Sequence, residues 1–142
     1  MITFELVTLS GVKMSEDVYE VMLPTPEGTI AIFPDHMPLV SLADSGVISV
    51  RRLQSHSDDQ LEHYATKGGV VEITRNRIRV LADEAEHSDE ISEAEAQEAL
   101  EKAKSMVKDA KDQVSLDRAQ SMIQASQNRL RVAELKKRRK TR

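Results

Sequence analysis

Asp35, His36 and Ser41 hold the three side-chain types of a hydrolytic triad, in which a base activates a nucleophile and an acid orients the base. Such a triad needs groups that converge in space, and neighbours on one loop rarely do; Ser41 also lacks a nucleophile-elbow motif. No catalytic residue is assigned, and the chain is not expected to be an enzyme. His56, His63 and His87 fall at spacings that match no metal motif, and there is no cysteine. Disulfides, thiolate zinc sites and cysteine nucleophiles are thereby excluded, and no metal is expected. The pair Gly68-Gly69 is not followed by the G-x-G-x-x-G and helix of a phosphate-binding turn, so it reads as a hairpin or a bulge.

Charge is the other chemical resource. The last fourteen residues carry Arg129, Arg131, Lys136, Lys137, Arg138, Arg139, Lys140 and Arg142 against Glu134, a local +7 in a chain whose formal total is −4. The remainder therefore sums to −11. Such a run is either an electrostatic contact for an acidic surface or a solvated helix end whose cations suit the negative pole of the helix dipole. A small regulatory protein gripping nucleic acid with this tail is the alternative of a different class. Against it, the acidic remainder repels a polyanion, and two Phe and two Tyr leave no aromatic interleaving for base stacking.

The elements that position these groups change character near residue 88. All five glycines and all four prolines precede that point, and the rest is rich in Ala, Glu, Lys and Gln. A sheet region followed by helices is the α+β pattern, here a β-sandwich or barrel of short antiparallel strands over residues 1–87 and a two-helix hairpin with a basic tail over 88–142. Apolar alternation marks strands at 4–6, 18–23, 30–32, 47–50, 61–64, 70–73 and 78–81, seven or more in all. Between Pro34 and Pro38 lies His36, and two prolines this close fit neither a helix nor a central strand. That segment reads as a rigid loop joining two strands. No apolar run reaches the ~18 residues that span a bilayer, and the start lacks a basic leader region. The chain is expected to be soluble and to meet a membrane through a protein partner.

In the helical part Ser92 and Glu95 have capping-box spacing. A helix over 93–111 carries Ala96, Ala99, Leu100, Ala103, Met106, Val107 and Ala110 on one stripe. A break at 112–115 precedes a second helix with Leu116, Ala119, Ile123, Leu130 and Ala133 on one side, and so short a break makes the two antiparallel. Stripes this rich in alanine bury little area, so the hairpin is either a weakly held, movable element or a static one.

Residues 27–50, EGTIAIFPDHMPLVSLADSGVISV, resemble the ε subunit of F-type ATP synthases, called δ in mitochondria, with its G-x-x-G-I-x-P-x-H-x-P-L pattern. Gly28, Ile32, Pro34, His36, Pro38, Leu39 and Gly46 match; Ala31 and Asp35 stand where the family commonly has glycine. YATKGGVVEITRNRIRVLADEAEH over residues 64–87 is similar to the family's closing strands, and ASQNRLRVAEL over 125–135 to the end of its last helix. The resemblance implies a non-catalytic central-stalk subunit of a proton-translocating synthase. Its β-domain would bind the γ subunit and the c-ring through Glu27, Gly28, Thr29, Pro34, His36 and Pro38, on the cytoplasmic face of a bacterial plasma membrane. The helices, extended towards the α and β subunits, would restrain hydrolysis through the basic tail. Some relatives bind ATP at the hairpin through Ile/Leu-Asp-x-x-Arg-Ala and arginines of the second helix. Here Ser92 replaces the aspartate, Glu95 the first arginine and Ala125 a later one, with Arg129 retained. A carboxylate in place of a cation repels a polyphosphate, so no cofactor is expected.

Overall fold

The computed structural model describes residues 1–141. Ten strands come first: β1 Ile2–Thr8, β2 Gly11–Val18, β3 Glu20–Thr25, β4 Gly28–Ile32, β5 Leu39–Ala43, β6 Gly46–Arg51, β7 Glu62–Thr66, β8 Gly69–Thr74, β9 Arg77–Ala82 and β10 Ala85–His87. Two helices follow, α1 Glu93–Asp109 and α2 Gln113–Thr141. The first sheet has the order β2-β1-β9-β8-β5 and the second β10-β7-β6-β3-β4. All strand pairs are antiparallel except β1 with β9. The fold is the expected α+β sandwich followed by an antiparallel helical pair.

The core lies between the sheets. Ile2, Phe4, Leu6, Val71, Ile73, Ile78 and Val80 of the first sheet meet Val21, Leu23, Ile32, Ile48 and Val50 of the second, every one with at most 1% of its surface exposed. Burying each such side chain is worth about 1.5–3 kcal/mol, so branched aliphatic residues carry most of the core, with the rings of Phe4 and Tyr64 buried among them.

Several local expectations are corrected. The alternation over 18–23 belongs to two strands: β2 ends at Val18 and β3 begins at Glu20 in the other sheet. Gly68-Gly69 is neither a hairpin nor a bulge. It carries the chain from β7 in the second sheet to β8 in the first, with Gly68 at φ +97°. A Cβ on Gly69 would lie 1.8 Å from the Leu81 carbonyl oxygen, so only glycine fits this crossing. In the helices, α1 ends at Asp109, and α2 begins at Gln113, inside the expected break. The Asp112 carboxylate accepts from the Ser115 N–H at 2.7 Å and so caps the helix ahead of Val114 and Ser115. That backbone bond, with a second from the Ser115 side chain, holds the Asp112 carboxyl below its ordinary range.

Candidate interaction surfaces

The expected loop region is built around β4, an edge strand. Pro26 and Glu27 make the turn from β3, Gly28 takes φ +119° as β4 opens, and the Thr25 hydroxyl closes the turn by donating to the Gly28 carbonyl at 2.6 Å. Residues 33–38 then pass from β4 at the edge of the second sheet to β5 at the edge of the first. Glu27, Gly28 and Thr29 therefore sit at one end of β4 and Pro34, His36 and Pro38 at the other, roughly 17 Å away along a five-residue strand. The exposed positions Thr29, Ala31 and Phe33 link the two ends.

Within the loop, Asp35 adopts φ 64°, a left-handed conformation that glycine takes freely and Asp tolerates. That explains why aspartate can stand at this point of the pattern. His36 donates from Nδ1 to the Met37 carbonyl at 2.7 Å, while Ser41 donates to the Leu42 carbonyl at 3.0 Å. His36 and Ser41 thus bond to neighbouring backbone instead of to one another. Phe33 packs edge-on to Tyr19 with ring centroids 5.7 Å apart, leaving Met37, 78% exposed, as the projecting apolar tip.

The basic helix lies elsewhere. α2 packs on β7 and β6 across the outer face of the second sheet, and polar contacts stitch it there. The Asn128 amide donates to Ser45 Oγ at 3.0 Å, which donates to the Thr66 carbonyl at 3.3 Å. Arg129 Nε is buried 3.3 Å from Glu86 Oε2, close enough for an ion pair without hydrogen-bond alignment. Lys136 reaches Asp89 at 2.8 Å, Lys137 reaches Glu93 at 2.5 Å, and Arg138 pairs within the helix with Glu134 at 2.7 Å. The bond from Lys136, more than any other contact, holds the Asp89 carboxyl below its ordinary range. Arg131, Arg139 and Lys140 are exposed; Arg142 lies outside the described residues. Much of the basic run is therefore occupied by the chain's own carboxylates. Beside Arg129, a cavity of about 170 Å³ is lined by Lys67, Glu84, Glu86, Ala125 and Ser126 among others. Ser92 accepts from the Glu95 N–H at 3.3 Å and serves as a helix cap.

The family model for the β-sandwich domain of ATP synthase delta/epsilon chains matches residues 1–88. The chain belongs to this family. The ATP synthase epsilon chain of Herpetosiphon aurantiacus is 34% identical over 138 residues, 97% of this chain and 98% of that protein. That of Chloroflexus aggregans is 32% identical over 96% of this chain and 94% of its own length, and the chloroplastic one of Psilotum nudum 33% identical over 74% and 75%. Among solved structures, a chain of the Euglena gracilis mitochondrial ATP synthase OSCP/F1/c-ring assembly shares the fold with TM-score 0.78 and 18% identity, over 94% of this chain and 81% of its own. Like other epsilon chains, this one is a non-catalytic subunit of an F-type ATP synthase.

A further surface of this epsilon-family chain went unread in the sequence. Across one end of the first sheet's outer face, Val12, Val7, Leu81, Val70 and Leu42 are successive cross-strand partners. Val12, Leu81, Val70 and Leu42 are 65%, 51%, 40% and 60% exposed. The available clue was the consecutive apolar pair Val70-Val71, and the run Leu39-Val40-Ser41-Leu42, where strict alternation fails because both faces of the strand are apolar.

Proposed function

We propose that this chain is a central-stalk subunit that couples rotation of the membrane c-ring to the catalytic head, with its sandwich attached to the γ subunit and the c-ring. The surfaces offered for those attachments are the β4 edge with Glu27, Gly28, Thr29, Pro34, His36 and Pro38, and the apolar row on the first sheet. The complex would lie on the cytoplasmic face of a bacterial plasma membrane. The helical hairpin is the regulatory part. Released from the second sheet, it would extend α2, about 43 Å long for 29 residues, and bring Arg129, Arg131, Lys136, Lys137, Arg138, Arg139 and Lys140 to acidic surfaces of the α and β subunits. There it would restrain hydrolysis while permitting synthesis.

The observation that carries this reading is the composition of the hairpin's seat. Beside the buried Val132, α2 is held by polar bonds and by ion pairs to Glu86 and Asp89, contacts that an acidic partner can exchange. Deleting residues 88–142, or changing the basic residues to alanine, should raise hydrolysis by the assembled synthase, and the charge-dependent part should shrink with added salt. Equal hydrolysis in both variants and the parent would leave a subunit that assembles the rotor without regulating it. Because Ser92, Glu95 and Ala125 lack the charges of the ATP-binding pattern, calorimetry should show no saturable heat at millimolar ATP; micromolar binding would overturn that.

A further inference from the structure

We propose that His63 is a proton-operated release for the hairpin: uncharged, it lets α2 sit on the second sheet, and charged, it turns the helix's own cations against the seat. This deepens the reading above and rests on the hairpin's being movable.

His63 lies on β7, on the same outer face that α2 covers. Its Nδ1 is 2.9 Å from Ser49 Oγ on β6. The ring borders a groove of about 310 Å³ lined by Met22, Asp58, Asp59, Leu61, Leu135, Arg138 and Arg139. The helix thus brings basic side chains to the ring, with Arg131 and Lys136 on the same segment. The neighbouring acids are largely committed. Asp58 is bonded to Arg51 at 2.7 Å, Glu62 to Arg52 at 2.5 Å, Glu86 is paired with Arg129, Asp89 with Lys136 and Glu90 with Lys13. Asp59 lines the groove, and His87 on β10 adds a second titratable ring nearby.

Protonation leaves the Ser49 contact possible, with Nδ1 as donor. What changes is a charge placed in a half-buried position facing like charges. Burial first, then Arg139, His87 and Arg131, hold the ring below the ordinary histidine range. The docked state therefore binds the proton less readily than the released state, where the ring returns to roughly 6.5. Docking is at full strength above that pH. Below it, release gains up to about tenfold per pH unit until the docked ring itself titrates.

The chain has no cysteine, so spin labels at Arg75→Cys, in the turn between β8 and β9 of the first sheet, and Gln127→Cys on α2 report the separation in the full-length protein. Between pH 8 and 6.5 the short distance should dominate. From 6.5 to 5 a longer-distance population should grow, by up to about tenfold per unit. His63→Asn, which keeps a polar group near the Nδ1 position without titrating, should hold the short distance throughout, and Arg139→Gln should weaken the response. A distance distribution that stays constant from pH 8 to 5, yet lengthens in molar NaCl, would overturn the proton release while leaving the hairpin mobile. An undiminished pH response in His63→Asn would equally overturn it. No separation by acid or by salt would bring down the movable-hairpin reading as well.

Discussion

The seam between the two sheets and the seam between α2 and the second sheet are built from different materials. The first is large, branched and dry: Ile2, Phe4, Leu6, Leu23, Ile32 and Ile78 are each at most 1% exposed. Under α2, Ser126 and Val132 are buried, while Asn128, Arg129 and Lys136 hold by hydrogen bonds and charge. Dispersion and apolar burial have no substitute once the sheets part, whereas a carboxylate lost by Lys136 can be replaced by water or another carboxylate. One seam is suited to permanence and the other to exchange. That contrast within 142 residues is the physical basis for the proposed division between a sandwich that stays attached and a hairpin that moves.

The contrast breaks most visibly at the core. Phe4→Ala removes a fully buried ring and should cost about 3–5 kcal/mol by urea unfolding, since the cavity cannot collapse against two rigid sheets. If the seams are independent, truncation after His87 should leave a folded sandwich whose strand signal in circular dichroism persists. A fragment unfolded in buffer would mean that α2 is part of the structural core and that residues 1–87 are not a separate unit.

A smaller effect separates the seams from the other side. Ala103 and Ala119 are fully buried in the hairpin, so Ala103→Leu should force the helices apart at about 1–3 kcal/mol. Amide exchange should quicken in α1 and α2 while protection in β1, β8 and β9 holds. Loss of protection in those strands would show that strain crosses from hairpin to sandwich.

How much of this was legible in the sequence follows from the same division. Where apolar side chains alternate against one core, as in β1, β6 and β9, period two placed the strands. β2 escaped notice because its buried positions, Met14 and Val18, are separated by exposed polar residues. β5 was missed because Leu39, Val40 and Leu42 are all exposed, and β10 because three residues set no period. For α2 a single stripe was expected, with Leu116, Ala119, Ile123, Leu130 and Ala133. Ala119 and Ala133 are buried, but so are Ser126 and Val132, because α2 contacts both α1 and the sheet. The pairing of the tail's cations with Glu86 and Asp89 joins residues more than forty positions apart, and no local pattern encodes that.

The smallest effect bears most directly on exchange. Lys136→Ala removes the partner of an Asp89 that is itself well exposed, so its effect on docking should be at most about 1 kcal/mol and should fade with salt. The pH dependence gives it a signature. Asp89 in the docked state has its carboxyl held below the ordinary range, chiefly by Lys136, so its contribution is present above the ordinary aspartate pKa of roughly 3.9. It is lost as pH falls through the lower, docked value. The label separation described for His63 should therefore show, in His63→Asn, a further small release below about pH 4 that Lys136→Ala abolishes. If Lys136→Ala instead changes nothing at low salt, the pair is a bystander, and the hairpin is retained by Asn128, Arg129 and the packing of Val132 and the small residues beside it. In that case an acidic partner surface would have to compete for Arg129, the most enclosed of the cations, before α2 could leave its seat.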